Sequence, residues 1–395
     1  MDTCRLKIFN GKIITPGHII NGGSLLVKNG MIEAVSDADI YAEAEIEIDA
    51  KGKYISPGFI DLHVHGGGGH DFMDNTVEAF LAVAKIHAQH GTTAMYPTTL
   101  SCEKDDLIET LDTYKQACKL NETGAEFLGL HIEGPYFSLN QRGAQDARYI
   151  RGFDEDEYTD ILRRCTGIRR WSAAPELQGA AKFGQYMLGK NVLPAIAHSD
   201  AIYEEVMEAF ENGYTHVTHF YSCTSGVTRR NAKRHAGINE TAYLLDDMTV
   251  EIIADGVHLP PSLLKLVYKL KGPGRTALIT DAMRAAGMPP GESILGSKKN
   301  GLKVIVEEGV AKLPDRSAFA GSVATTDQLV RNMVTLAGVP LQDAVTMMTA
   351  TPAVIMKVGD KKGTLEKGKD ADIVIFDEEI NVGTTIVKGK IVYQL

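Results

Sequence analysis

Two patterns of apolar and polar positions divide the chain. The first 54 residues contain short stretches in which the two kinds of position alternate, such as RLKIFNGKII and GSLLVKNGMIEAVS, and Asn-Gly or Lys-Gly pairs interrupt them. A period of two is typical of strands with one buried face, and Asn-Gly favours tight turns between strands. The same pattern returns near the end in DADIVIFD and GTTIVKGKIVYQL. We therefore predict strands at both ends of the chain.

Between these ends, apolar strand-like runs alternate with longer helix-like segments such as TVEAFLAVAKIHAQH. Eight runs have strand character: ISPGFIDLHVH, GTTAMYPTT, AEFLGLHIEG, IRRWSAAPE, VLPAIAHSD, YTHVTHFY, VEIIADGVH and TALITDAM. Alternation of this kind over roughly 300 residues favours a parallel sheet, and about 250 residues is typical of an eight-stranded α/β barrel. We therefore predict a (β/α)8 barrel over residues 55–361.

Polar residues fall at the ends of these apolar runs, where α/β barrels place their reacting groups. Five of them have side chains that bind metal ions: His63, His65, Glu133, His198 and His219. His63 and His65 are two positions apart on a strand and so face the same side. Taken alone, each histidine is more often a hydrogen-bonded structural group. The recurrence on successive strands favours a site for zinc or a similar divalent ion, because imidazoles with one carboxylate suit such ions.

Three further ionisable residues lie near these positions. Asp281 ends the last predicted strand, where it is either a helix N-cap or a general base and acid that moves protons in a metal-assisted hydrolysis; we favour the second interpretation. His131 shares a face with Glu133, and we expect it to support a ligand or pack in the core rather than bind metal. His216 is out of phase with His219, so we expect a structural role for it.

Composition narrows the class of partner. The chain has 395 residues and a net charge of −10. This charge argues against a nucleic-acid or membrane-surface partner, since binding either one requires a broad positive surface on the protein. A small anionic metabolite remains a possible partner.

The N-terminus lacks the apolar core of a secretory signal, and the five cysteines show no paired spacing. We therefore predict a cytosolic protein.

Two segments resemble the amidohydrolase superfamily. SPGFIDLHVHGGGGHDFMD resembles its first barrel strand, and KGTLEKGKDADIVIFD resembles the return of the chain to its small domain. The resemblance covers essentially the whole chain. It implies a TIM-like barrel at residues 55–361 and a small β-sandwich domain built from residues 1–54 and 362–395.

Within that superfamily, HIEGPYFS, AHSD, IADGVH and ITDA together resemble the N-acetylglucosamine-6-phosphate deacetylase family. Many superfamily members bridge two metals with a modified lysine on the fourth strand, and IRRWSAAPE has no lysine, as in these deacetylases. The resemblance implies a metal-dependent hydrolase that removes an N-acetyl group from an amino-sugar phosphate and works as a homodimer. The alternatives are a deacetylase of another N-acyl sugar, such as N-acetylgalactosamine 6-phosphate, and a non-catalytic binding protein.

The resemblance also implies roles for single residues. Glu133, His198 and His219 would bind a principal metal ion, His63 and His65 a second one, and Asp281 would be the catalytic acid and base. The residues implied to contact substrate are Ala144, Gln145, Ser222, Cys223, Arg230, His258, Phe319, Ala320 and Gly321.

Three departures from the family pattern bear on the substrate. Ser222-Cys223 stands where many relatives have Asn-Ala, and Gln145 stands where some have a histidine that polarises the scissile carbonyl. The loop SCTSGVTRRNAKRHAGINET is also longer than expected. Its basic cluster is either a solvated turn or a phosphate site, since guanidinium groups match phosphate oxygens. In the family an arginine near this place reaches the neighbouring subunit's substrate; Arg230 aligns best, with Arg229 and Arg234 as alternatives.

Overall fold

The chain begins with five strands that carry the alternating pattern. The computed structural model describes residues 5–395, so residues 1–4 of the predicted N-terminal segment lie outside the described residues. The strands are β1 (Arg5–Thr15), β2 (His18–Lys28), β3 (Met31–Ser36), β4 (Ile46–Asp49) and β5 (Tyr54–Pro57). β1 runs antiparallel to β2 and parallel to β4 and β5. Apolar side chains such as Ile8 and Leu25 are fully buried between them.

The barrel strands follow, and they coincide with the eight predicted runs. The strands of this part are β6 (Phe59–Val64), β7 (Gly66–Gly67), β8 (His70–Asp71), β9 (Thr92–Pro97), β10 (Glu126–Phe127), β11 (Leu130–Glu133), β12 (Ile168–Ala173), β13 (Leu193–Ile196), β14 (His216–Val217), β15 (Thr228–Arg230), β16 (Lys233–His235), β17 (Thr249–Ile253) and β18 (Thr276–Ile279). β7 with β8 and β15 with β16 form short antiparallel hairpins.

The remaining strands of this part are parallel and form two sheets. One has the order β10-β9-β6, and the other has the order β11-β12-β13-β14-β17-β18. Isolated parallel bridges from Thr98 to His131 and from Val64 to Ala282 join the edges of the two sheets. The prediction of an α/β fold with barrel-type parallel strands is therefore confirmed.

Helices connect the strands and cover the outside of the parallel sheets. The α-helices are α1 (Val77–Ala88), α2 (Lys104–Leu120), α3 (Glu155–Arg164), α4 (Ala180–Gly189), α5 (Tyr203–Glu211), α6 (Ile238–Leu244), α7 (Pro261–Lys271), α8 (Thr326–Thr335), α9 (Leu341–Met348) and α10 (Ala350–Ile355). α1 begins where the Thr76 side chain accepts a hydrogen bond from the Ala79 backbone N–H, and it buries Phe80 and Val83. Within residues 5–395, no helix is both long enough and apolar enough to cross a membrane.

A four-stranded antiparallel sheet interrupts the barrel pattern after β18. Its strands, β19 (Gly291–Leu295), β20 (Leu302–Glu307), β21 (Val310–Lys312) and β22 (Phe319–Ser322), pair in chain order. The sequence analysis missed this inserted sheet. The signal was present in LKVIVEEGVAKL, where alternating positions flank Glu308-Gly309, and both turn residues have positive φ. A parallel bridge from Ser322 to Ala282 anchors the sheet to the end of β18.

Three C-terminal strands complete the fold. β23 (Ile373–Phe376), β24 (Val382–Val387) and β25 (Lys390–Gln394) extend the N-terminal sheet in the order β25-β24-β23-β5-β1-β2-β3, with β4 paired to β1. The strands that the alternating pattern predicts at both ends of the chain are present, and they form one sheet. β5 crosses the predicted boundary at residue 54. The two-layer sandwich, the boundaries at residues 54 and 362 and the cytosolic location stay predictions.

A buried lysine connects this terminal sheet to the barrel. Lys362 Nζ lies 2.6 Å from Asp372 Oδ2, 3.0 Å from Asp370 Oδ2 and 2.8 Å from Glu126 Oε2 in β10. Burial lowers the pKa of Lys362, but the carboxylates of Asp372 and Glu126 outweigh burial and raise it well above its usual value. The ammonium group therefore fills the centre of an acidic cluster that otherwise has the spacing of a cation site.

We expect Lys362→Met to destabilise the fold, because it leaves buried carboxylates without their cation. The free energy of unfolding should fall by about 3–5 kcal/mol, the usual cost of breaking a buried ion pair from one side. Urea denaturation of both proteins measures the difference. Lys361→Met, at the exposed neighbouring position, should change it by less than about 0.5 kcal/mol. Equal losses in the two variants would contradict the assignment.

Candidate active site

The five predicted metal-binding residues come together at the C-terminal ends of the parallel strands. Glu133 lies at their centre, with its Oε1 atom 3.0 Å from His219 Nε2, 3.4 Å from His198 Nε2 and 3.5 Å from His63 Nε2. Its second oxygen, Oε2, lies 3.4 Å from His65 Nε2. All five side chains are buried.

These side chains form two overlapping sets of donor atoms. His63, His65 and Glu133 make one set, and Glu133, His198 and His219 make the other. Zinc binds imidazole nitrogen at about 2.0–2.1 Å, which places neighbouring ligands of a tetrahedral site about 3.3–3.4 Å apart. The separations of 3.0–3.5 Å around Glu133 fit this requirement. The residues present therefore suit one divalent ion, or two that share Glu133.

The second nitrogen of three of these imidazole rings is held by a backbone carbonyl. His198 Nδ1 donates to the Gln141 carbonyl at 2.7 Å, and His219 Nδ1 donates to the Ser222 carbonyl at 3.0 Å. His65 Nδ1 lies 3.3 Å from the Thr98 carbonyl. Because Nδ1 is engaged in each case, Nε2 faces Glu133 and is available to a cation.

The backbone is strained where it presents these groups. His198, His219 and Asp281 have φ values of 47°, 28° and 46°. Positive φ is uncommon for residues other than glycine and costs on the order of 1–3 kcal/mol at each position. Three such positions lie at the ends of barrel strands. The surrounding fold therefore offsets the strain of these backbone conformations, which direct the three side chains to one point.

The carboxylates and imidazoles of the cluster stabilise opposite charges on one another. Burial raises the pKa of Glu133, but the imidazoles of His63, His198 and His219 outweigh burial and hold it well below its usual value. Burial lowers the pKa of His63, but the carboxylates of Glu133 and Asp281 raise it to about 10. Burial keeps the pKa of His219 below its usual value. The buried charges of the cluster are therefore balanced within it.

Asp281 lies against the His63–His65 side of the cluster. Its Oδ1 atom is 3.1 Å from His65 Nε2 and 3.4 Å from His63 Nε2. Burial raises the pKa of Asp281, but the two imidazoles, His63 first, hold it below its usual value. No helix begins at this residue within the described chain, so the helix-cap alternative is wrong.

A cavity of about 300 Å³ opens onto this cluster. Seven of the nine predicted substrate residues line it: Ala144, Gln145, Ser222, Cys223, His258, Phe319 and Gly321. Ala320 is instead fully buried and packs with Met283 and Val304 of a separate apolar cluster. The sequence analysis missed the lining residue Leu295, which the inserted sheet supplies.

Two lining residues have fixed polar side chains. Gln145 Nε2 donates to Glu133 Oε2 at 2.8 Å, and its Oε1 accepts from the Ser101 backbone N–H at 2.9 Å. His258 Nδ1 lies 2.6 Å from Asp255 Oδ2, and its ring packs on Phe319 at 4.7 Å between centroids. The amide and the imidazole are therefore oriented before any ligand enters.

Arg230 lies outside the cavity of its own chain. It belongs to the hairpin of β15 and β16, which is largely exposed and also carries Arg229, Lys233 and Arg234. Its Nη2 atom donates to the Asp200 carbonyl at 3.0 Å, and its Nη1 atom is 3.6 Å from Glu205 Oε1. The side chain of Arg230 is 43% exposed.

The sequence analysis also missed two charged residues beneath the cluster. Arg170 and Glu251 are fully buried and form an ion pair with Nη1 2.6 Å from Oε2. The available signal was a charged residue at an inward position of an otherwise apolar strand, in IRRWSAAPE and VEIIADGVH. His131 and His216 join neither donor set, as expected, and bond instead to Ser172 and Thr249.

Comparison with known proteins identifies the family. The model described as "Amidohydrolase family" matches residues 54–392. The chain belongs to the amidohydrolase family. This assignment accounts for the barrel-type fold and for a divalent metal centre, since members of the family generally use one.

Several proteins similar to this amidohydrolase are deacetylases of amino-sugar phosphates. N-acetylglucosamine-6-phosphate deacetylase of Lysinibacillus sphaericus is 35% identical over 371 residues, which is 92% of either chain. N-acetylgalactosamine-6-phosphate deacetylase of Escherichia coli O157:H7 is 30% identical over 95% of this chain and 99% of its own. The solved structure of an N-acetyl-D-glucosamine-6-phosphate deacetylase mutant from Mycobacterium smegmatis, in complex with N-acetyl-D-glucosamine-6-phosphate, has a TM-score of 0.90, 27% identity and 100% coverage of both chains.

We expect a divalent ion to stabilise the metal-free amidohydrolase, because the donor atoms assemble only in the folded state. Zinc at 100 times its dissociation constant should raise the free energy of unfolding by about 2.7 kcal/mol. Urea denaturation with and without zinc measures the gain. Glu133→Gln should lose most of it, whereas Glu126→Gln, in the acidic cluster filled by Lys362, should keep it. The reverse order would place the ion elsewhere.

Proposed function

We propose that this chain hydrolyses the N-acetyl group of N-acetylglucosamine 6-phosphate, giving glucosamine 6-phosphate and acetate. The observation that carries the proposal is the cavity in which Asp281 and the two donor sets meet. The names of the relatives and the ligand of the M. smegmatis structure supply the substrate. The donor sets and an ionised Asp281 also argue against a non-catalytic binding protein, which needs neither.

The metal roles follow the two donor sets. Glu133, His198 and His219 would hold the principal ion, and His63 and His65 would hold a second one. Zinc fits the mixture of imidazole nitrogen and carboxylate oxygen. When bound, such an ion supplies Lewis acidity, which polarises an amide carbonyl and lowers the pKa of water towards about 7.

Asp281 carries the proton transfers. Its carboxylate takes a proton from the attacking water as the C–O bond forms at the acetyl carbon. It then gives that proton to the amide nitrogen as the C–N bond breaks, so that the amine and acetate leave. The depressed pKa of Asp281 keeps the carboxylate ionised at neutral pH and ready for the first transfer.

The lining residues position the substrate. Gln145 donates a hydrogen bond but cannot carry a proton charge, so polarisation of the scissile carbonyl depends more on the metal side of the cavity. His258 and Phe319 form one wall, and Ser222 and Cys223 form another. Ala144 and Gly321 complete the lining, and Ala320 contributes through its place in the backbone between Phe319 and Gly321.

The phosphate needs a cation that the cavity of one chain does not provide. The lining described above includes neither lysine nor arginine, and the net charge of the chain is −10. The exposed hairpin of β15 and β16 offers the missing charge. We therefore assign the phosphate contact to Arg230 of a second copy in a homodimer, with Arg229 and Arg234 as the alternatives.

A second candidate substrate is N-acetylgalactosamine 6-phosphate. The E. coli relative carries that name at 30% identity. Ser222 and Cys223 also replace the Asn-Ala pair with which many deacetylases touch the sugar. The two sugars differ only in the configuration of one ring hydroxyl, so a change at these contacts bears directly on the choice.

Acetate release from a panel of sugars tests the proposal. The panel contains both 6-phosphates and the two unphosphorylated N-acetyl sugars, assayed with the zinc-loaded protein. We expect the highest kcat/KM with N-acetylglucosamine 6-phosphate. Preference for the galactose epimer would transfer the proposal to the second substrate, and no acetate from any of them would overturn both.

We expect Asp281→Asn to lower kcat by roughly two to four orders of magnitude, the usual contribution of positioned proton transfer. Asparagine tolerates the positive φ of this position, so the backbone should be retained. Steady-state kinetics should be accompanied by metal analysis of the same preparation. Turnover close to that of the wild type in a metal-loaded variant would remove Asp281 from the mechanism.

We expect Arg230→Ala to raise KM for the phosphorylated substrate, because the phosphate is remote from the reacting amide and binds alike in ground and transition states. The loss of a charge-assisted contact should amount to about 1.5–3 kcal/mol in binding. Kinetics with the unphosphorylated sugar should not change, and Arg230→Lys should rescue only in part.

Arg163→Ala, at another exposed arginine, is the matched control and should affect neither substrate. An equal loss on both substrates in Arg230→Ala would mean that the hairpin supports the fold rather than binding phosphate. If Arg230→Ala changes neither, Arg229 and Arg234 are tested next.

A further inference from the structure

Glu251 is a fully buried carboxylate directly beneath the metal-binding residues. Its Oε1 atom lies 3.2 Å from His63 Nδ1 and accepts from the His219 backbone N–H at 3.3 Å. Its Oε2 atom lies 3.1 Å from His216 Nε2. One carboxylate thus contacts one residue from each proposed ion site.

Arg170 fixes Glu251 from the opposite side. Its Nη1 atom donates to Glu251 Oε2 at 2.6 Å, and its Nη2 atom donates to Oε1 at 2.7 Å. Nη2 also donates to Thr218 Oγ1 at 2.6 Å, and Nη1 lies 3.3 Å from the Leu62 carbonyl. A guanidinium that is bidentate and also tied to β6 and to the residue after β14 leaves the carboxylate little freedom to rotate.

His63 differs from the other three histidines of the cluster in what holds it. His65, His198 and His219 have their Nδ1 atoms against backbone carbonyls, whereas His63 has its Nδ1 atom against the Glu251 carboxylate. Its Nε2 atom therefore faces His65 Nε2 at 3.1 Å and Glu133 Oε1 at 3.5 Å. A carboxylate partner orients a ligating imidazole and makes its other nitrogen a stronger metal ligand.

We propose that Glu251, held by Arg170, is a positioning residue for the second ion, which it serves by fixing His63 with Nε2 towards the cluster. The inference rests on the proposed function in one respect, namely the assignment of His63 to an ion site. It assigns a role to two residues that touch neither substrate nor metal.

Stability alone is a weak reason for such a pair at this place. Buried ion pairs replaced by apolar residues of similar volume often leave a protein equally stable. Among residues 5–395, the Nε atom of Arg170 is also buried without a hydrogen-bond partner, which adds a cost. The contact to His63 supplies the function that offsets these costs.

Glu251→Gln tests the proposal through metal affinity rather than activity. The two dissociation constants are measured by titrating metal-free protein with zinc against a chromogenic chelator, and the metal content is counted after dialysis. We expect the second ion, at His63 and His65, to be the weaker of the two and to bind about 10–100-fold less tightly in this variant, the usual effect of losing a partner of a ligating histidine. The tighter ion should change by less than about threefold, because carbonyl groups hold the Nδ1 atoms of His198 and His219.

Two further variants make the result decisive. Arg170→Gln combined with Glu251→Gln removes both charges of the ion pair. This double variant replaces Glu251→Gln in the metal titration if the single variant, which leaves Arg170 unpaired, fails to fold. His216→Gln is the matched control, since it removes the contact on Oε2 and leaves the His63 contact on Oε1. We expect the double variant to lose affinity for the weaker ion and the control to keep both affinities.

The proposal is overturned if a folded Glu251 variant binds both ions as the wild type does, or if His216→Gln loses as much affinity. It is equally overturned if neither Glu251 variant folds, because the pair then acts in folding. A wild-type protein that takes up a single ion overturns it as well. None of these results touches the deacetylase proposal, which stands or falls on acetate release by the wild type.

Discussion

The structure depends on one buried carboxylate surrounded by imidazoles. Glu133 has four histidine nitrogens within 3.5 Å of its oxygens, at a depth where an isolated charge would be costly. Parallel strands make this arrangement possible, because their carboxyl ends meet at one mouth and each delivers a side chain to the same point. The positive φ values at His198, His219 and Asp281 show the local cost. The hydrogen bonds that the rings donate to the carbonyl groups of Thr98, Gln141 and Ser222 show how the rings are kept in place.

The same problem of buried charge is solved in two ways in this chain. At the mouth of the barrel, carboxylates and imidazoles leave room for an external cation. Where the terminal sheet meets β10, three carboxylates have a similar spacing, but Lys362 supplies the cation from within the chain. The first arrangement allows a bound ion to exchange with solvent, whereas the second holds the terminal sheet against β10 with a cation that cannot leave. The spacing of acidic and histidine side chains alone therefore does not distinguish a metal site from a cluster that a lysine neutralises.

Much of the fold and of the metal centre could be predicted from the sequence. The strand order of the barrel and the positions of His63, His65, Glu133, His198 and His219 follow from apolar runs that end in polar residues. The inserted sheet was missed, although alternation around Glu308-Gly309 marks one of its hairpins. Arg170 and Glu251 were missed for a different reason. A charge inside an apolar run has no visible partner in sequence, since the two residues are 81 positions apart and meet only once the strands lie side by side.

The inserted sheet has a consequence for how such an enzyme changes over time. Leu295 and Phe319 bring one wall of the cavity from β19 and β22, outside the set of strands that carry Glu133 and Asp281. Part of the cavity wall is therefore carried by a different segment of the chain from the one that carries the metal-binding residues. Substitutions at Leu295 or Phe319 in the inserted sheet alter the shape of the cavity without replacing a metal-binding residue. The shape of the cavity can therefore diverge in evolution while the metal-binding residues keep their positions.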